Sequence, residues 1–247
     1  MRTFGLIGFP LGHSFSKKYF TEKFELEGIA DCRYELFPME DITSLVNLLK
    51  EDHSLKGLNV TIPHKVKVLP YLNDIDDAAR KIGAVNCISI EKRGVDNWLI
   101  GYNTDAFGFA ESLKPYLKEH HTKALILGNG GAAKAVKYVL EQLGVSYLSV
   151  VRKAISGALL YEEVTPELMN THQLIINTTP LGTHPNIESA PAIPYHLMTS
   201  RHLAYDLVYN PEVTEFLKRA KAAGAETKNG LEMLELQALK AWSIWNS

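Results

Sequence analysis

The run Lys123-Ala-Leu-Ile-Leu-Gly128-Asn129-Gly130-Gly131-Ala132-Ala133 has the residue types and spacing that most directly imply chemistry. A short apolar strand passes through closely set glycines into the opening of a helix, the G-x-G-x-x-G/A pattern with one extra glycine. Glycines allow a tight turn and the close approach of a pyrophosphate, whose charge is stabilised by the N–H groups and positive end of the helix. A plain strand-to-helix turn has the same residues, so the dinucleotide reading depends on both flanking elements being present. At the end of the next strand, Tyr147-Leu-Ser-Val-Val151 runs into Arg152-Lys153. An acidic residue there would hold a ribose 2′-hydroxyl, whereas two cations suit a 2′-phosphate, the Arg152 guanidinium offering a planar fork. The residue chemistry favours NADP over NAD; the competing reading is a pair of solvated charges in a loop.

Three further segments set polar side chains at the ends of apolar runs. Gly8-Phe-Pro10-Leu-Gly-His13-Ser14-Phe-Ser16 follows the first strand. Ser14 and Ser16 could bind a carboxylate together, although Ser16 also suits the N-cap of a helix beginning near Lys17. In Gly57-Leu-Asn59-Val-Thr61-Ile-Pro63-His64-Lys65 the polar residues alternate out of a buried strand, and Pro63 keeps Ile62 extended. Ile82-Gly-Ala-Val-Asn86-Cys places an amide among small and apolar neighbours. The segments Ile175-Ile-Asn177-Thr178-Thr179-Pro and Ala204-Tyr-Asp206-Leu-Val-Tyr209-Asn-Pro211 are strands running into turn residues. In an open α/β sheet such ends line the ligand crevice, yet Asn and Asp favour turns with or without a ligand.

The elements that must hold these residues follow from apolar runs at Phe4–Gly8, Tyr34–Phe37, Gly57–Val60, Ala124–Leu127, Leu148–Val151, Leu174–Ile176 and Leu203–Leu207, alternating with helix-like stretches. That alternation predicts an α/β protein of βαβ units around parallel sheets covered on both faces. Residues Glu91 to Asn97 read as a hairpin loop through Gly94, and Thr104 or Asp105 is placed to cap a helix ending near Glu119. A domain boundary is expected close to Asp105. The chain has 247 residues, 46% hydrophobic and 22% charged, with a net charge of -2. That is enough to bury one large core or two ordinary ones, and it lacks the basic clusters that nucleic acid or an anionic membrane requires. Cys32 and Cys87 match no metal or redox spacing, and the N-terminus leads straight into a strand, so a cytoplasmic location without a signal segment is expected.

In order and spacing, Ser14 and Ser16, Asn59 to Lys65, Gly83 to Asn86, Gly101 to Asp105, Gly128 to Ala133, Tyr209-Asn-Pro and Gly230-Leu-Glu-Met-Leu-Glu-Leu-Gln237 together resemble the shikimate dehydrogenase family from end to end. The resemblance implies an N-terminal α/β substrate domain and a Rossmann-like NADP-binding domain, with the C-terminal helix returning to the first. The expected division is 1–104 with 230–247 for substrate and 105–229 for NADP. It further implies that Ser14 and Ser16 hold the substrate carboxylate, that Asn59, Thr61, Asn86, Tyr209 and Gln237 contact the substrate, and that Lys65 and Asp105 are catalytic. For the cofactor it implies Gly128, Asn129, Gly130, Gly131, Ala132, Arg152, Lys153, Thr178 and Gly230, and no metal. The family commonly has Asn-Arg-Thr where this chain has Val151-Arg152-Lys153.

The implied activity is reversible reduction of 3-dehydroshikimate to shikimate with NADPH, in the biosynthesis of aromatic amino acids. Lys65 is the expected proton donor to the developing alkoxide, and Asp105 the residue that favours its charged form. A broader quinate/shikimate dehydrogenase and a ligand-sensing relative without turnover are the alternatives. A small-molecule partner and a monomer or homodimer complete the expectation.

Overall fold

The computed structural model describes residues 1–12, 15–94 and 96–247, so Ser14, one of the expected carboxylate ligands, lies outside the described residues. The chain divides into two compact units, Met1–Thr104 with Ala238–Ser247, and Asp105–Gln237. The first contains β1 (Arg2–Gly8), α1 (Phe15–Leu26), β2 (Cys32–Pro38), α2 (Leu45–Glu51), β3 (Leu55–Val60), β4 (Asp74–Ile75), α3 (Asp77–Ile82), β5 (Cys87–Arg93) and β6 (Asp96–Tyr102). Its sheet has the order β2-β1-β3-β5-β6-β4. β1 runs parallel to β2 and β3, but β5 runs antiparallel to both β3 and β6. This unit is therefore a mixed sheet, departing from the parallel βαβ pattern where the sequence places a hairpin. The cause is the β5–β6 hairpin, whose strands extend to Arg93 and Asp96 and leave a shorter connection than the Glu91–Asn97 loop read from the sequence.

Alternate residues of β1 serve opposite faces of this sheet, as the two-residue strand period requires. Ile7 packs with Leu58, Ile88 and Leu99. Phe4 and Leu6 pack on the other face with Phe20 of α1 and with Ala238, Ala241 and Trp245. Those last three belong to the C-terminal helix, which thus returns to the N-terminal sheet. Trp245 stacks on Phe4 at 4.8 Å between centroids, and its Nε1–H donates to the Ile88 carbonyl at 3.0 Å. The Trp245 indole fills the space a Cβ on Gly57 would occupy, so that strand glycine is there for close approach.

After α4 (Thr104–Leu113) come β7 (Lys123–Leu127), α5 (Gly131–Gln142), β8 (Ser146–Val151), β9 (Ala158–Leu160), α6 (Pro166–Thr171), β10 (Leu174–Asn177), β11 (Leu203–Asp206), α7 (Glu215–Ala222), β12 (Glu226–Lys228) and α8 (Leu231–Trp245). The helix expected to reach Glu119 stops at Leu113, where a short 3-10 turn with Pro115 follows. The sheet of this unit is parallel throughout, in the order β12-β11-β10-β7-β8-β9. Counted from β7, that is 6-5-4-1-2-3, the doubly wound order of dinucleotide-binding sheets. The strand order reverses between β7 and β10, with successive strands added on opposite sides, which makes their carboxyl ends the topological switch point. The strands β4, β9 and β12 are only two or three residues long, too short to show a strand period in the sequence.

Candidate functional site

At the switch point, β7 ends in Leu127 and the chain turns at Gly128 with φ +112°. Its N–H donates to the Val150 carbonyl at 2.8 Å. A Cβ here would lie 2.7 Å from Thr178 Oγ1, so both conformation and space call for glycine. Thr178 donates its N–H and its hydroxyl to the Leu127 carbonyl, each at 2.9 Å, pinning the ends of β7 and β10 together. Gly130 is the N-cap of α5 with no side-chain cap, and the first turn of the helix holds no acidic residue. Open space surrounds the positions where Gly130 and Gly131 would carry a Cβ. Exposed helix N–H groups with room beside them form a cradle for a phosphate. Lys137, which the sequence reading passed over, reaches back from the second turn to donate to Asn129 Oδ1 at 2.6 Å.

Arg152 and Lys153 follow β8 and are exposed. Arg152 stands near Tyr161, whose phenol is pushed up by burial while the cation acts the other way. At the ends of β10 and β11, Asn177 and Asp206 are register partners with both side chains buried, and Asn177 donates to Asp206 Oδ1 at 2.9 Å. Burial raises the Asp206 carboxyl to about 6, against hydrogen bonds from Thr214, Val208 and Asn177. Tyr209 stands half-buried beyond β11. Gly230 donates to the Val208 carbonyl at 3.2 Å and packs so closely on the Leu207 backbone that a Cβ would collide with it. Gln237 is buried on α8 and donates to the Leu234 carbonyl at 2.8 Å. Asp105 is the second residue of α4.

In the first unit, Asn59, Thr61, Lys65 and Asn86 gather at one end of the sheet. Val60 donates to the Asn86 carbonyl at 2.8 Å, Thr61 to that of Ile7 at 3.0 Å, and Val85 to that of Lys65 at 2.8 Å. Asn86 Oδ1 accepts the Thr104 N–H at 2.7 Å and thereby serves the start of α4. Thr104 and Asp105 are the first two helical residues, so neither precedes the helix as a cap. Ser16 likewise lies within the first turn of α1 rather than before it. His64 is buried, with Nε2 2.5 Å from the Met39 carbonyl, which holds the segment leading to Lys65.

Tyr34 escaped the sequence reading because one tyrosine in an apolar strand gives no signal. Its buried hydroxyl donates to Asn59 Oδ1 at 2.7 Å. Burial pushes this phenol well above its usual value, and a hydrogen bond from Ser16 acts in the opposite sense. With Oδ1 committed to Tyr34, the Asn59 amide turns Nδ2 toward the Asn86 carbonyl at 3.4 Å. Ser16, Asn59 and Asn86 are thus joined through a residue that carries no obvious motif.

Among the described residues no group of three His, Cys, Asp or Glu side chains could hold a metal, and no helix is long and apolar enough to cross a membrane. A doubly wound sheet with a glycine turn at its switch point, joined to a second α/β unit rich in ordered polar side chains, defines the class of two-domain dinucleotide-binding proteins. Residues 6–88 match the family model described as the shikimate dehydrogenase substrate binding domain. Over 98% of its length the chain is 38% identical to a shikimate dehydrogenase (NADP(+)) from Carboxydothermus hydrogenoformans and 35% identical to one from Methanosphaera stadtmanae, covering 90% of each. A crystal structure of shikimate 5-dehydrogenase from Thermus thermophilus in complex with NADP(H) and shikimate is 32% identical over 99% of this chain and 93% of that one, with a TM-score of 0.85. The chain belongs to the shikimate dehydrogenase family.

Proposed function

We propose that the protein is an NADP-dependent oxidoreductase that interconverts 3-dehydroshikimate and shikimate in aromatic amino acid biosynthesis. The observation that carries this reading is one chain holding both a glycine turn at the switch point of a doubly wound sheet and an ordered Asn59–Asn86–Lys65 constellation, in a family of that activity. Residues 1–104 with 230–247 serve the substrate, and 105–229 the cofactor. The cradle fits NADP: Gly128, Asn129, Gly130, Gly131 and Ala132 would meet the pyrophosphate, with Thr178 and Gly230 at neighbouring strand exits and Arg152 and Lys153 for the 2′-phosphate. When bound, NADPH supplies the hydride.

Ser14 and Ser16 hold the substrate carboxylate, while Asn59, Thr61, Asn86, Tyr209 and Gln237 hold the rest of the molecule. As charge develops on the carbonyl oxygen, Lys65 stabilises it and gives it a proton, and it takes the proton back in the reverse direction. Asp105 is assigned the companion catalytic role in that proton transfer. The same reading gives a cytoplasmic enzyme, monomeric or a homodimer, with small molecules rather than nucleic acid or membrane as partners; a net charge of -2 is in keeping with that. Initial rates of nicotinamide reduction with shikimate and with quinate, each with NADP+ and NAD+, test it. Turnover of shikimate with NADP+ well above the other three pairs is expected, and no rate with shikimate and NADP+ overturns it.

A further inference from the structure

Asp206 is the last residue of β11 and is fully buried, and its carboxylate reaches three separate pieces of chain. Oδ1 accepts from Asn177 Nδ2 at 2.9 Å and from the Val208 N–H at 3.0 Å, while Oδ2 accepts the Thr214 hydroxyl at 2.5 Å. Each partner extends the connection. Asn177 Oδ1 accepts the N–H of Thr179 at 3.0 Å and its hydroxyl at 2.6 Å, and the Asn177 carbonyl accepts the Leu207 N–H at 3.0 Å. Thr214 caps α7 by accepting the Leu217 N–H at 3.3 Å. One side chain therefore fixes the exit of β10, the exit of β11 and the start of α7.

Burying a carboxylate on an amide, a hydroxyl and a backbone N–H, with no cation among these partners, is expensive; an apolar side chain would fill the site at lower cost. That expense is understandable if the strand exits must be held in one arrangement for a ligand. Thr178 stands between Asn177 and Thr179 and braces the Gly128 turn through the Leu127 carbonyl. The carboxylate is thus two links from the phosphate cradle.

Building on the dinucleotide-binding reading of this unit, we propose that Asp206 is a positioning residue that sets the β10 and β11 exits for the cofactor. Calorimetric titration of the full chain with NADP+ and, separately, with shikimate tests it. Asp206→Ala should weaken NADP+ binding about tenfold, the scale of one buried hydrogen-bonded charge left out of a network. Asp206→Asn keeps the size and part of the accepting capacity and should restore most of that affinity. In both variants shikimate affinity should fall by a clearly smaller factor than NADP+ affinity, so the effect appears chiefly in KM for the cofactor. Should Asp206→Ala fail to fold, Thr214→Val removes one contact and should weaken NADP+ binding by a smaller factor in the same sense. Wild-type NADP+ affinity in the folded variants overturns the proposal, as does an equal loss of both ligands. Failure of the wild-type chain itself to bind NADP+ would instead overturn the dinucleotide reading.

Discussion

Lys65 is held from its own backbone, through the carbonyl that accepts from Val85, so its position belongs to the same strand ends that carry Asn59 and Asn86. If it donates the proton, Lys65→Ala should lower kcat about 100-fold or more while changing shikimate affinity far less, since general acid catalysis contributes about that much. An unaltered kcat would remove Lys65 from the role. Tyr34 acts one step further back. Tyr34→Phe deletes only the hydroxyl and leaves Asn59 Oδ1 without that donor in a buried place, at a cost of about 1–3 kcal/mol. Part of that should appear as a rise of about fivefold in KM for shikimate, with KM for NADP+ unchanged. Steady-state kinetics in both substrates decide it, and equal shifts in the two KM values would make Tyr34 a stability residue only.

At the level of elements, the proposed cofactor cradle consists of three pieces of backbone: the end of β7, the start of α5 and the exit of β10. Gly128 joins them at φ +112°, a conformation that an L-residue adopts only under strain, and against Thr178 there is no space for a Cβ. Gly128→Ala should therefore destabilise the protein by about 2 kcal/mol and raise KM for NADP+ tenfold or more, with shikimate binding retained. Urea denaturation monitored alongside cofactor titration measures both. A variant as stable as wild type and with the same KM would show that the turn tolerates a side chain.

For the whole molecule, the return of α8 to the N-terminal sheet makes the two ends of the chain interdependent. Trp245 joins them by stacking on Phe4, packing on Gly57 and donating to the Ile88 carbonyl. Trp245→Ala leaves a cavity and an orphaned acceptor, and should cost about 3–5 kcal/mol. The shift in denaturation midpoint reports this directly. A loss below about 1 kcal/mol would mean that the C-terminal helix adds little to the first unit.

Much of this was legible in the order of residues, because its determinants are local. Apolar runs of strand length show directly, and the glycine turn at Gly128 is written in residues with special backbone freedom. Arg152 stands out for the acid it replaces, and Asn59 to Lys65 for a continuous motif. The sequence reading did not reach features that depend on partners far along the chain. The antiparallel pairing of β5 with β3, the early end of α4 at Leu113 and the short edge strands follow from pairing and packing, not from local period. Tyr34 and Asp206 acquire meaning only when folding brings Asn59 to one and Asn177, Val208 and Thr214 to the other. A buried hydrogen bond between residues 25 or 29 positions apart leaves no trace in spacing, since its strength comes from desolvation that only the tertiary structure provides.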